Sequence, residues 1–196
     1  MKKDLSASSS QVLKSNDIKK SFALAGIPSF LHTSDESLSR WDKDSSVFNH
    51  CVEALDWIEE GGLAGLSTKS SVVELVYTSD SDMMKVFYLI ARAAVLKGVS
   101  VKCVHALELM PPNLNDDMWE ELQGKGLLVV DGINYCESGS HSDSQLKTLE
   151  WVMSKWLMQG KSLLIHTEKR LIGDDVFSQS FRSLIENRVV KKFIQV

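Results

Sequence analysis

Five short apolar runs punctuate this 196-residue chain, and segments of helical patterning separate them. The runs are Val72 to Tyr77 (VVELVY), Val99 to Val104 (VSVKCV), Gly126 to Asp131 (GLLVVD), Ser162 to His166 (SLLIH) and Val189 to Val196 (VVKKFIQV). GLLVVD is apolar at every position between its glycine and its acid. A strand like that is buried on both faces, as in the centre of a parallel sheet. Strands alternating with helices require crossover connections, so helices cover both sides of the sheet. The expectation is a three-layer α/β domain with a mostly parallel sheet of about five strands.

The helical segments have their own signals. Val47, Phe48, Cys51, Val52, Leu55 and Ile58 fall at helical spacing, with Ser45 or Ser46 to cap the start and Gly61 and Gly62 to stop it. Met83 to Leu96 is apolar on nearly every face, the mark of a helix sandwiched by other elements. Asp116 to Leu122 reads as a short acidic helix. Ser142 and Gln145 form a capping box ahead of the stripe Leu146, Leu149, Met153, Trp156 and Leu157. Trp151 lies off that stripe and is expected to be exposed, a candidate partner contact. Phe177 to Glu186 reads as the last helix. His166 is expected to end its strand near the core.

Residues 1–25 are read as a mobile basic tail, perturbed only by a short helix near its end, and 26–196 as one domain. The first twenty residues hold five lysines against two aspartates. The whole chain carries a net charge of −4, which excludes a globally basic nucleic-acid coat. No run of 18 apolar residues exists, so no membrane helix is expected. Cys51, Cys103 and Cys136 form no CxxC pair, and no secretory signal is read at the start, so reduced thiols and a cytoplasmic location are expected. No GxSxG elbow occurs, and neither the Ser138–Asp143 loop nor Asp131 with Cys136 and His141 matches a known triad or metal spacing. No metal site is expected.

Ligands of parallel sheets sit at the carboxyl ends of the strands. The order of features there is a strand, a loop, a helix bearing Lys85, a strand ending in Asp131, a strand followed by Thr167, and a helix bearing Arg182. This order resembles the AAA+ core of bacterial replication proteins, namely the initiator family of DnaA and Hda and the DnaC-like helicase loaders. The resemblance covers about residues 45–196, with Ala25-Gly26-Ile27-Pro28 similar to the lead-in of the loaders. It implies a P-loop-like fold. It aligns Lys85 with the Walker A lysine and Asp131 with the magnesium aspartate of Walker B. Thr167 or Glu168 falls on the polar sensor, and Phe181-Arg182-Ser183-Leu184-Ile185-Glu186 is similar to the segment that carries the trans-acting arginine.

The departures from that pattern are chemical. The phosphate loop GxxxxGK(S/T) has Ser79 and Met84 in place of its glycines and Val86 in place of its hydroxyl. Glycines let backbone amides turn toward phosphate, and the hydroxyl binds magnesium. Asp80 and Asp82 add negative charge where a polyphosphate would lie; at ~5 Å and an effective dielectric near 20, each unit pair repels by roughly 3 kcal/mol. Gly132 follows Asp131 where a catalytic acid is usual, and Leu184 stands at the finger arginine. The helical lid that follows this core in the family is not read in the chain.

Ser79, Met84, Lys85, Val86 and Asp131 are therefore read as vestigial nucleotide positions, with ATP and magnesium not expected as cofactors and no catalytic residue assigned. The functional expectation is a non-hydrolysing AAA+-like adaptor or regulator of DNA replication. It would bind an initiator, a replicative helicase or an active AAA+ partner, with DNA and a second copy of the chain as further partners. Trp151 and the C-terminal cations Arg182, Arg188, Lys191 and Lys192 are the candidate partner or DNA contacts. The competing readings are an active ATP-dependent helicase loader and a DNA-binding accessory protein.

Overall fold

A computed structural model of the chain describes residues 15–29, 32, 46–68, 70–77, 83–110, 112–133, 143–167 and 177–194. Five parallel strands run β1 (Val72–Val76), β2 (Val101–His105), β3 (Leu127–Asp131), β4 (Ser162–Thr167) and β5 (Val189–Ile194). Their order across the sheet is β2-β3-β4-β1-β5. The three inner strands are β3, β4 and β1, and every residue of β1 and β4 is buried. The three-layer parallel architecture expected from the sequence is the one observed.

Because side chains alternate along a strand, each central strand supplies both cores. On one face, Val73, Leu75, Val129 and Leu164 pack under α1 (Ser15–Leu24), α2 (Ser46–Glu59), α3 (Gly62–Thr68) and α4 (Met83–Leu96). On the other, Val72, Leu128, Val130, Leu163 and Ile165 pack under α5 (Asp116–Gln123), α6 (Asp143–Met158) and α7 (Gln179–Glu186). Helix α4 buries Met83, Val86, Phe87, Ile90, Ala91 and Ala94. That explains its nearly all-round apolarity. Trp156 of α6 is fully buried and donates its indole N–H to the Ser162 carbonyl, so the polar edge of the ring is satisfied inside the core.

Two elements differ from expectation. Residues 15–25 belong to the fold and not to a tail: α1 buries Phe22 completely, and Ala25 with it. A Phe side chain taken fully out of water contributes about 2–3 kcal/mol. The flanking lysines Lys19 and Lys20 are exposed, and they disguised a helix whose inner face rests on one aromatic. Residues 1–14 lie outside the described residues. Helix α3 was also not anticipated, since the glycines that end α2 open directly into it.

The lead-in after α1 guards the sheet. The Cys103 amide of edge strand β2 donates to the Ala25 carbonyl. Gly26 has φ +77°, and a Cβ there would stand 2.7 Å from the Cys103 carbonyl oxygen, so only glycine lets the chain approach this edge. At the opposite edge, β5 bulges at Val190, between the pairs Val72–Val189 and Val73–Lys191. Bulges of this kind blunt an edge strand.

Candidate site at the carboxyl edge of the sheet

Four adjacent strands end in polar or aromatic residues that share the α4 face of the sheet. In sheet order they are His105 (β2), Asp131 (β3), His166 (β4) and Tyr77, just beyond β1. His166 is the hub. Its Nδ1 lies 2.6 Å from Asp131 Oδ1, and its Nε2 lies 3.1 Å from the Tyr77 carbonyl oxygen. The Tyr77 ring stacks on the imidazole, with centroids 3.7 Å apart and planes at 10°. Phe87 of α4 closes the other side, with ring centroids 6.2 Å apart and planes at 64°. A carboxylate and a carbonyl are both acceptors. The imidazole bridges them across β4.

Asp131 is engaged through both oxygens, since the Tyr88 hydroxyl of α4 donates to Oδ2 at 3.4 Å. Burial alone would raise the Asp131 pKa. The hydrogen bond and charge of His166 outweigh it, helped by His105 and the Gly132 amide, and the carboxyl sits below its ordinary value of 3.8. The same burial, reinforced by the Asp131 charge, pushes the phenols of Tyr77 and Tyr88 upward. The Cys103 thiol nearby is pushed up to about 12, chiefly by burial. Among the described residues, the buried Tyr77 hydroxyl has no hydrogen-bond partner, and neither has that of Thr167, at the candidate sensor position, on the other face of the sheet.

Gly132 has φ +71°, and a Cβ there would come 2.3 Å from Nε2 of His105. The His105 ring is held in place because its Nδ1 accepts the Leu107 amide at 3.2 Å, in a capping box that opens a 3-10 turn at Ala106–Leu109. An imidazole thus occupies the space into which a side chain at position 132 would grow.

The five positions aligned with nucleotide-binding motifs differ in their surroundings. Ser79 lies outside the described residues. Val86 is fully buried, and Met84 is half-buried against the same core, so both serve packing. Lys85 is half-buried, not the solvent-facing lysine its helix position suggests. Asp131 stands where the resemblance places it. Its two oxygens are engaged by His166 and Tyr88, and Val86 offers no oxygen.

The C-terminal cations do not form one patch. Lys191 and Lys192 project to opposite faces of β5. Lys191 bonds Glu53 of α2 at 2.6 Å, and Lys192 meets the fully buried Glu74 of β1 at 3.0 Å. Arg188 reaches the Ser70 carbonyl at 3.5 Å, and Arg182 lies half-buried on α7. Trp151 is exposed, as its place off the core stripe of α6 implies. Sequence reasoning missed Tyr77, Tyr88 and His105 and placed His166 without a partner. The available signal was positional: each strand-terminal residue of four consecutive inner and edge strands is polar or aromatic, and a parallel sheet must gather them.

No protein-family model and no curated protein matches the sequence. Solved structures do match the fold. DnaI is 12% identical with a TM-score of 0.57, over 83% of this chain and 89% of that one. The DnaC helicase loader is 13% identical with a TM-score of 0.56, over 83% and 98%. A DNA replication initiation factor is 13% identical with a TM-score of 0.54, over 81% of this chain, which spans half the length of that protein. The chain shares its core fold with these initiation-factor, DnaI and DnaC helicase-loader structures.

Proposed function

We propose that this chain is an AAA+-like adaptor of DNA replication that acts by binding a protein partner and does not hydrolyse nucleotide. The replication assignment is supported by the fold it shares with initiator and loader structures. The observation that carries the non-hydrolysing part is the engagement of Asp131 by His166 and Tyr88, next to a Gly132 whose outward space His105 fills. A carboxylate already held by two side chains is poorly placed to organise a metal, and a hydrolytic site of this fold also needs an acid to orient water. The residues at the carboxyl edge serve the core, and binding work passes to the outer surfaces.

Two measurements test the reading. Thermal unfolding with saturating MgATP is expected to leave the midpoint unchanged, because a ligand of the folded state alone must raise it. A raised midpoint together with phosphate release would establish the active-loader reading instead. Sedimentation of the purified chain with the replicative helicase and the initiator of its source cell is expected to yield a complex with one of them. Failure with both removes the replication assignment.

A further inference from the structure

Helix α6 has two unlike faces. Leu149, Val152, Met153, Trp156 and Leu157 face the core, whereas Trp151 is 51% exposed and Met158 is 78% exposed. Trp119 of α5 lies 5.5 Å from Trp151 between ring centroids, and the Lys155 ammonium sits 4.5 Å from the centroid of each. The lysine holds both indoles in place, so their side-chain freedom is already reduced before any partner arrives. Beside Trp151 an open concavity of about 540 Å³ is lined by Ser144, Lys147, Thr148 and Trp151.

Among the described residues, the two lysines of this face have no carboxylate partner. Among the described residues, Lys102, Lys191 and Lys192 each pair with a carboxylate. Lys147 and Lys155 pair with none, and Glu150, the acid beside them on α6, is taken by the amide and hydroxyl of Ser178. We infer that the outer face of α6 is the docking surface for an acidic amphipathic helix of a partner protein. This rests on the reading that the chain works by binding protein, and it names the chemistry of what is bound. Trp151 and Met158 are seven residues apart, about 10 Å along the helix at ~1.5 Å per residue. A partner helix fits when it lays apolar side chains about two turns apart over that pair. Its carboxylates then fall to Lys147 and Lys155, whose own separation is eight residues. The central indole supplies the anchor, and the lysines set register and rate of encounter. A nucleic-acid strand is the poorer occupant, because it carries no aliphatic side chains at that spacing to cover Trp151 and Met158.

The test places the photo-crosslinking residue p-benzoylphenylalanine at position 151 of the full chain in its source cell, with the same residue at exposed Leu96 of α4 as control. Crosslinked peptides are sequenced by mass spectrometry. Position 151 is expected to yield an acidic segment with apolar residues at helical spacing. Adding Lys147→Glu and Lys155→Glu is expected to cut the yield at least tenfold while the unfolding midpoint of the charge-reversed chain stays unchanged. A synthetic, labelled copy of the captured peptide is expected to bind the wild-type chain at least tenfold more tightly than the Trp151→Ala or charge-reversed chain. Yields no greater than at position 96, a basic peptide, nuclease-sensitive adducts or indifference to charge reversal would each overturn the inference. An acidic peptide from a protein outside replication would leave the docking surface standing and remove the replication assignment.

Discussion

Gly132→Ala is the sharpest probe of the carboxyl-edge cluster, because two independent costs meet at one position. The first is conformational: at φ +71° an alanine carries the left-handed penalty of roughly 1–2 kcal/mol. The second is steric. The new Cβ would lie 2.3 Å from His105 Nε2, so the imidazole must swing away and release the Leu107 amide it accepts at 3.2 Å. Losing one such bond costs about 0.5–1.5 kcal/mol. Together the substitution is expected to destabilise the fold by about 2–3 kcal/mol, a fall in unfolding midpoint of roughly 4–12 °C for a domain of this size.

Urea unfolding at pH 7 measures this directly. His105→Ala, alone and combined with Gly132→Ala, separates the two costs. Removing the imidazole abolishes the collision but leaves the backbone penalty, so the double variant should be about 1 kcal/mol more stable than additivity predicts. A Gly132→Ala chain within ~0.5 kcal/mol of wild type, or strict additivity in the cycle, would refute the claim that His105 closes this position. The same geometry would then no longer bar an acid beside Asp131.

Tyr77→Phe removes a buried hydroxyl that has no partner, and is expected to leave stability unchanged or raise it by about 1 kcal/mol in urea unfolding; a loss of more than ~1 kcal/mol would show that the hydroxyl is bonded. The pKa of Asp131 is depressed in the folded chain, so the unfolded chain binds the extra proton first as pH falls. The stability this gives is complete above the ordinary carboxylate value near 4 and is lost as pH drops through the lower native value, a slope that urea titrations between pH 7 and pH 2.5 should show and Asp131→Asn should flatten. Lys191→Ala is expected to cost less than ~1 kcal/mol, since its partner Glu53 is partly exposed. Lys192→Ala should cost about 1–3 kcal/mol by leaving the fully buried Glu74 without that cation; the figure is kept below that of a wholly buried pair because the lysine is partly solvated. Equal losses from the two lysines would contradict their assignment to opposite faces.

What sequence patterning conveyed about this molecule depended on the range of the interaction. The span Met83–Leu96 was readable residue for residue as α4 because its burial is written into its own composition. The strands of β1, β3 and β4 were readable for the same reason. A short helix near the end of the tail was readable, but its docking on the core was concealed, because Phe22 anchors a segment otherwise rich in lysine and serine. The site posed a harder problem. Asp131 looked solitary because His166 is 35 residues away and Tyr77 lies a further 89 residues before it, and only the strand order β3-β4-β1 brings the three side by side. Lys191 and Lys192 misled in the opposite direction. Adjacent in sequence, they resembled one cationic patch, yet adjacency on a strand guarantees opposite faces.

The two layers of the fold now carry different kinds of work. On the α4 side, the strand ends are joined by an imidazole–carboxylate hydrogen bond, a stacked tyrosine and an imidazole packed over a glycine. Each of these contacts is made within the chain. On the α6 side, an ordered pair of indoles and two unpaired lysines point outward. In a nucleotide-driven protein of this architecture, the state of the carboxyl edge would govern what the outer helices present, because a ligand can shift a structure only by binding its states unequally. Here that edge is occupied by the chain's own side chains. On the proposed reading the α6 surface is presented continuously, and association follows the concentration and charge of the partner and not a nucleotide cycle. Complex formation should fall with added salt as the Lys147 and Lys155 contacts are screened, and should stay the same with ATP, ADP or neither.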